Sequence, residues 1–114
     1  MLYNGVKIYP SRENLFQSDK KTDNAHTVTA LIIHTGEDKF LFREISIIKE
    51  NHLADSIFVI IPSNRQFNEE CTKDYGFVNW AVFQKEYDRV DMVVMIAKET
   101  TQEFIMLLDS SYNI

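Results

Sequence analysis

The sequence predicts an α+β domain, in which an antiparallel β-meander precedes one or two C-terminal helices. The first half indicates strands because short β-branched and apolar runs are separated by turn residues. The second half indicates helices because apolar residues from Tyr87 to Leu108 recur at steps of three and four, the spacing of one helix face. Strands followed by helices are typical of the α+β class.

Length and composition indicate one globular domain over residues 1–114, since 45% hydrophobic residues supply enough apolar area for a core. Cys71 is the only cysteine, so no intramolecular disulfide can form and a reducing compartment is expected. The first residues lack the features of a signal peptide, and no apolar stretch reaches the roughly 20 residues that span a membrane. These features predict a cytoplasmic protein with no membrane partner.

Four strands are predicted in the first half. Residues 5–9 alternate between apolar and polar side chains and end at Pro10, and a long polar loop over residues 11–26 follows. Residues 27–34 and 40–48 flank the turn residues Thr35-Gly36-Glu37-Asp38, so we expect an antiparallel hairpin. The run 57–61 is apolar on both faces, which places it at the centre of a sheet or against a helix.

The helical stripe of the second half contains a predicted break. Thr100 is a candidate N-cap for a second helix, with Glu103 three positions later as its capping-box partner. Residues 92–96, Met-Val-Val-Met-Ile, also fit a strand. We favour a helix there because the flanking charged residues have helical spacing.

The chain shows no sequence signature of an enzyme. Its three histidines, at positions 26, 34 and 52, are too far apart for a local metal motif, and no glycine-rich loop could hold a phosphate. The acidic pairs Glu37-Asp38 and Glu69-Glu70 lie in polar turns, where carboxyl groups are usually solvated. The aromatic residues around Trp80 favour packing over base stacking, because few cations surround them. We therefore predict a non-enzymatic protein without a metal or cofactor.

The segment Pro62-Ser63-Asn64-Arg65 follows the apolar run 57–61. Proline cannot donate to a strand ladder, so the strand ends there, and Ser63 and Asn64 can shape a turn by bonding local backbone. Arg65 then leaves the sheet with a planar fork of donors. The sequence leaves two functions open for this arginine: contact with a phosphate, or an ion pair with Glu69 or Glu70.

The run FLFREISIIKENHLADSIFVIIPSNRQF resembles the SpoVG family, the stage V sporulation protein G-like proteins. The matching parts are Phe40, Glu44-Ile45, Phe58-Val59 and the proline-serine-x-arginine step that ends at Arg65. Elements on both sides are similar in order, from a first strand near Val6 to a helix that begins near Arg89. The resemblance covers most of residues 5–97.

The resemblance implies a small homodimeric bacterial regulator that binds DNA, and in some cases RNA, without enzymatic activity. Family contacts carried over by position point to Arg65 and Arg89, with Asn64, Lys85 and Lys73 assisting. The chain nevertheless has a net charge of −5, whereas nucleic-acid-binding proteins usually carry a basic excess. The alternative is therefore an acidic protein-interaction module on the same fold that does not bind nucleic acid.

Overall fold

The structure is a computed structural model that describes residues 2–3, 5–13, 28–100 and 104–109. In this part of the chain the strands are β1 (Leu2–Tyr3), β2 (Val6–Tyr9), β3 (Val28–Ile33), β4 (Ser56–Ile61), β5 (Val78–Phe83) and β6 (Phe104–Asp109). The helices are α1 (Asp38–Glu50), α2 (Cys71–Asp74) and α3 (Arg89–Ala97).

All six strands form one sheet in the order β1-β2-β5-β4-β3-β6. The four strands β5, β4, β3 and β6 run parallel to one another, and β2 and β1 add an antiparallel edge. The chain moves in one direction from β3 to β4 to β5. It then returns through α3 to β6, on the other side of β3, so the sheet has a switch point between β3 and β6.

The core has two layers, one on each face of the sheet. On one face α1 packs Leu41, Ile45 and Ile48 against alternate residues of β3, β4 and β5. On the other face α3 packs Met92 and Ile96 against the intervening residues of the same strands. Because β3 and β4 are covered on both faces, residues 30–33 and 57–61 are continuously apolar rather than alternating, and the polar residues Thr29 and Ser56 lie at the amino ends of the two strands.

The prediction of a strand at residues 40–48 is wrong, because this segment belongs to α1. Its buried residues Leu41, Ile45 and Ile48 are spaced by four and three, which is a helical face. The β-branched isoleucines of the segment favoured a strand, but burial on the helix face outweighs that weak preference. The predicted hairpin is wrong for the same reason: β3 and β4 are parallel and α1 connects them.

The predicted helix beginning near Arg89 is confirmed as α3, and the alternative of a strand at residues 92–96 is wrong. The predicted second helix is also wrong, since Phe104–Asp109 is strand β6. Thr100 is not a cap of that helix; its hydroxyl donates to the carbonyl of Ala97. A short apolar run fits both the helical and the strand period, so spacing alone could not separate them.

The mixed α+β content and the strands near residues 5–9, 27–34 and 57–61 are confirmed. The antiparallel meander is wrong for the centre of the sheet, which is parallel. The predicted loop over residues 11–26 lies largely outside the described residues. Glu103, the predicted capping-box partner, lies wholly outside them. No helix in the described ranges has the length and apolar character needed to cross a membrane.

Candidate functional site

A cleft of about 390 Å³ lies at the carboxyl ends of β3, β4 and β5, and we call it the carboxyl-end cleft. Its lining comes from the loops that follow these three strands, together with one residue of α3. The residues are His34, Thr35, Pro62, Ser63, Asn64, Arg65, Glu86, Tyr87 and Met92. In open sheets of parallel strands, this end next to the switch point is where ligands bind.

His34 is the first residue after β3, and its side chain is buried at the cleft. Its backbone N–H donates to the carbonyl of Ile60, which extends the ladder between β3 and β4. Its Nε2 lies 2.8 Å from Oδ1 of Asp38 in the first turn of α1. Burial lowers the pKa of His34, and the positive charge of Arg65 lowers it further. The hydrogen bond to Asp38 raises the pKa but does not offset this lowering. The imidazole is therefore mainly neutral at pH 7.

Arg65 joins the loop after β4 to the loop after β3. Its Nη1 donates to the carbonyl of Thr35 at 2.9 Å, and its Nη2 donates to the carbonyl of Gly36. The backbone N–H of Arg65 donates to the carbonyl of Pro62 at 3.1 Å, which closes the turn expected at Pro62-Ser63-Asn64-Arg65. The guanidinium thus fixes the shape of the cleft through backbone carbonyls. Glu69, one of the two predicted ion-pair partners of Arg65, accepts a hydrogen bond from the Tyr9 hydroxyl.

A second polar cluster occupies the switch point itself. Asp109, the last residue of β6, accepts hydrogen bonds from the Thr35 hydroxyl and from the guanidinium of Arg89 at the start of α3. Burial and the nearby charge of Asp109 raise the pKa of Glu44, on α1, to about 7. Asp109 therefore ties β3, β6 and α3 together beside the carboxyl-end cleft.

Four of the five residues predicted to bind nucleic acid lie at this end of the sheet. Asn64 and Arg65 line the cleft, Arg89 begins α3, and Lys85 comes two residues after β5. The stem of Lys85 packs over Gly5, where an added Cβ would approach its carbons within 2.9 Å. Lys73 lies apart, in α2, because that helix precedes the amino end of β5.

Among the described residues at the carboxyl end, the acids outnumber the four cations, which are Lys39, Arg65, Lys85 and Arg89. Arg65 is bonded to carbonyls and Arg89 is paired with Asp109. The acids of the same loops and helix starts are Glu37, Asp38, Glu86, Asp88, Asp91 and Asp109. This end of the sheet is therefore not a basic surface of the kind that holds many phosphates.

Sequence reasoning missed His34, Thr35, Glu86, Tyr87 and Asp109 as site residues. The signal that could have found them was available: a run apolar on both faces suggests a central parallel strand, and the polar residues just after it lie at the ligand-binding end. His34 and Thr35 follow VTALII in this way. Reading residues 40–48 as a strand hid the signal, because an antiparallel meander has no such end.

Comparisons with protein-family models, with curated proteins and with solved structures each returned no match. The resemblance to the SpoVG family therefore stays a prediction, and the function is inferred from the fold and the site. Among the described residues there is no group of three or more histidine, cysteine, aspartate or glutamate side chains that could hold a metal ion.

Proposed function

We propose that the protein binds a small ligand of the nucleoside or nucleotide class in the carboxyl-end cleft. The observation that carries the proposal is the position of this cleft, at the carboxyl ends of parallel strands and next to the switch point between β3 and β6. Open parallel sheets bind nucleotides at the carboxyl ends of the strands beside such a switch point, and the cleft lies on the β3 side of it, over the ends of β3, β4 and β5. This support comes from the fold alone, and the lining of the cleft adds support from particular residues.

The lining combines apolar walls with a few hydrogen-bonding groups, which suits a planar polar ligand. Tyr87 and Met92 supply apolar surface, and the Tyr87 ring is held edge-on against Phe83, with centroids 5.6 Å apart. Ser63 and Asn64 add a hydroxyl and an amide at the end of β4. An amide can both donate to and accept from the edge of a nucleobase, so Asn64 is the side chain we expect to read the base.

Acidic groups define the other part of the recognition. Glu86 lines the cleft and can accept hydrogen bonds from ribose hydroxyls or from an exocyclic amine. The excess of acids at this end disfavours a bare chain of phosphates. We therefore place the recognition in the nucleoside part of the ligand, with Arg65, a cation that lines the cleft, for one phosphate.

Isothermal titration calorimetry with the four ribonucleoside monophosphates tests the proposal. We expect saturable binding that differs among the bases, and about tenfold weaker binding for Asn64→Ala, which corresponds to the loss of one hydrogen bond. Gln84→Ala is the matched control, because it removes an exposed amide that does not line the cleft. Absence of binding at millimolar ligand, or an equal loss in the control, would contradict the proposal.

The second candidate is the nucleic-acid-binding regulator that the resemblance implies: homodimeric, bacterial and cytoplasmic. The shared position of Asn64, Arg65, Lys85 and Arg89 at one end of the sheet favours it. A salt series with mixed DNA and RNA oligonucleotides distinguishes the two functions. A polymer held through phosphates loses affinity steeply with salt, and Arg89→Ala should reduce that slope by about one unit. A mononucleotide read through its base depends much less on salt.

The predicted homodimer and the acidic protein-interaction module each have a test. Light scattering at tens of micromolar protein, a concentration above typical interface affinities, tests the homodimer. If neither mononucleotides nor oligonucleotides bind, the acidic protein-interaction module becomes the better proposal, because a net charge of −5 suits a basic protein partner.

A further inference from the structure

A second cavity, of about 410 Å³, lies on the α1 face of the sheet. Its walls come from the start of α1, from residues 66–68 and 71, and from Ile61 and Trp80 of the sheet, and we call it the indole cavity. Ile61 and Trp80 belong to the core layer under α1, whereas Met92, which lines the carboxyl-end cleft, belongs to the layer under α3. The buried His34 is the one residue that lines both cavities.

The indole cavity is lined by a side chain with an unused hydrogen-bond donor. Trp80 is the only tryptophan of the chain and is 1% exposed. Within the part of the chain that the structure describes, its Nε1 is buried and has no hydrogen-bond partner. Buried polar groups are nearly always hydrogen-bonded, and an indole N–H can only donate. A molecule that occupies the cavity can therefore stabilise the protein by bringing an acceptor to this N–H.

The aromatic walls of the cavity are held in place by further rings. Phe42 stacks on Tyr75, with centroids 4.9 Å apart and planes only 6° from parallel. Phe67 lies tilted between two rings, with its centroid 5.4 Å from that of Trp80 and 5.1 Å from that of Tyr9. Because Phe42 and Phe67 are both fixed by neighbours, the walls need little rearrangement to receive a flat ring.

Hydrogen-bonding groups surround the same cavity at its exposed side. Oδ1 of Asp38 lies 2.8 Å from Nε2 of His34, and the Asp38 side chain is 76% exposed. A carboxylate has two oxygens and about four acceptor positions, so Asp38 can accept from a ligand as well. Gln66 and Asn68 are exposed and add two side-chain amides to the lining. The rim therefore suits a group that donates hydrogen bonds.

The charge of the lining selects against anions. Among the described residues that line the cavity there is no lysine or arginine, and Asp38 is an acid. Burial raises the pKa of the Cys71 thiol, and the charges of Asp38 and Asp74 raise it further, so this thiol is neutral at pH 7. A negatively charged ligand meets repulsion here without a compensating cation.

We propose that the indole cavity binds a neutral aromatic carboxamide. The carbonyl oxygen of the amide accepts the N–H of Trp80, the flat ring packs against Phe42 and Phe67, and the amide N–H groups donate to the rim at Asp38. A carboxamide supplies an acceptor and two donors without a charge, which an aromatic carboxylate of the same shape does not. The volume of the cavity lies within the range of small-molecule sites.

An NMR titration of the ¹⁵N-labelled protein with benzamide tests this proposal. The protein gives a single indole N–H signal, because Trp80 is the only tryptophan. We expect this signal to move downfield and to saturate, as its proton enters a hydrogen bond. Benzoate, the anion of matched shape, should bind at least tenfold more weakly. An indole signal that stays in place at millimolar benzamide would overturn the proposal, as would equal binding of benzoate.

Protein variants locate the binding by calorimetry. Trp80→Phe keeps a ring and removes the N–H, so benzamide should bind about tenfold more weakly. Gln66→Ala should weaken binding less, and Gln84→Ala, which removes an exposed amide outside the cavity, should leave it unchanged. Full binding by a folded Trp80→Phe would overturn the proposal. If that variant does not fold, the indole signal of the wild type decides the matter.

The indole cavity and the carboxyl-end cleft can be tested separately. Asn64→Ala alters only the lining of the cleft, so benzamide affinity should be the same as in the wild type. A loss of benzamide binding in Asn64→Ala would overturn the assignment of the ligand to the indole cavity. Nucleotide binding in the cleft does not depend on the N–H of Trp80, so either proposal can fail without the other.

Discussion

The two ends of the parallel strands use their polar residues in different ways. At the amino end, Asp55 and Val28 are joined by two hydrogen bonds of 2.7 Å, one from the Val28 N–H to the Asp55 carboxylate and one from the Asp55 N–H to the Val28 carbonyl. Thr29 and Ser56 share a hydrogen bond of 2.9 Å across β3 and β4. These polar groups close the end of the sheet by binding one another.

At the carboxyl end the polar groups surround a cleft instead. Arg65 and Asp109 hold the loops in place, and the side chains of Ser63 and Asn64 line the carboxyl-end cleft. The polar residues of the amino end therefore serve stability, while the carboxyl end combines supporting residues with residues available to a ligand. Substitutions should therefore affect stability at both ends but ligand binding at only one.

The largest effect is expected for Arg65→Ala. The variant leaves the carbonyls of Thr35 and Gly36 without their charged donor, so we expect a loss of about 2–3 kcal/mol in the free energy of unfolding. Ligand affinity should also fall at least tenfold, because the cleft loses its fixed shape. Chemical denaturation and calorimetry measure the two effects. Lys73→Ala removes a cation from α2 and should change neither, and equal behaviour of the two variants would refute the role of Arg65.

Asp55→Ala should lower the stability of the fold without changing ligand binding. It removes the carboxylate acceptor of the Val28 N–H, for a cost of about 1–2 kcal/mol in unfolding free energy. Nucleotide affinity should stay unchanged, because Asp55 lies at the other end of the sheet. Asp55→Asn keeps an acceptor and should lose less stability. A drop in nucleotide affinity in folded Asp55→Ala would break the proposed separation of the two ends.

The lowered pKa of His34, at the carboxyl end, predicts that the stability of the folded protein falls in acid. Its pKa is lowered in the folded protein, so the unfolded chain takes up the proton first as the pH falls. The stability from the neutral ring is therefore complete above pH 6.5 and is lost as the pH falls from there through the lower pKa of the folded state. Denaturation of the wild type and of His34→Gln at pH 8 and pH 5.5 measures this contribution. An unchanged slope with pH in the variant would contradict it.

The smallest effect is expected for Glu44→Gln. Its carboxyl has a pKa raised to about 7, so ionisation costs more in the folded protein than in the unfolded chain. Wild-type stability should therefore fall as the pH rises from about 4.5 to 7, and Glu44→Gln should remove this loss. We expect the variant to be more stable than the wild type at pH 8 by about 1 kcal/mol or less, since the side chain is only partly buried, and equally stable at pH 4. A stabilisation that is the same at both pH values would point to another cause.

The sequence was sufficient to predict the strands that lie inside the sheet. The central residues of β3 and β4 are continuously apolar, and the boundaries of these strands were predicted within one or two residues. It was not sufficient for α1, whose isoleucines favoured a strand, or for β6, whose short apolar run fits both periods. Those two errors concealed the parallel topology, since a parallel connection needs the helix between its strands.

The candidate site could be predicted only in part. Asn64 and Arg65 were recognised because proline marks the end of a strand, and that local signal is independent of topology. His34 and Asp109 are distant in sequence from those residues, and only the sheet order brings them to the same end. The partner of Arg65 was also beyond prediction, because backbone carbonyls carry no sequence signal.

An NMR titration of the ¹⁵N-labelled protein with adenosine monophosphate and uridine monophosphate tests the proposed nucleotide site. We predict that amide shifts change for residues 34–36, 63–65 and 86–87, around the carboxyl-end cleft. The amides of Thr29, Asp55 and Asn79, at the amino end, should stay where they are. Changes confined to the amino end, or no changes at millimolar nucleotide, would contradict the assignment of the carboxyl-end cleft as a nucleotide site.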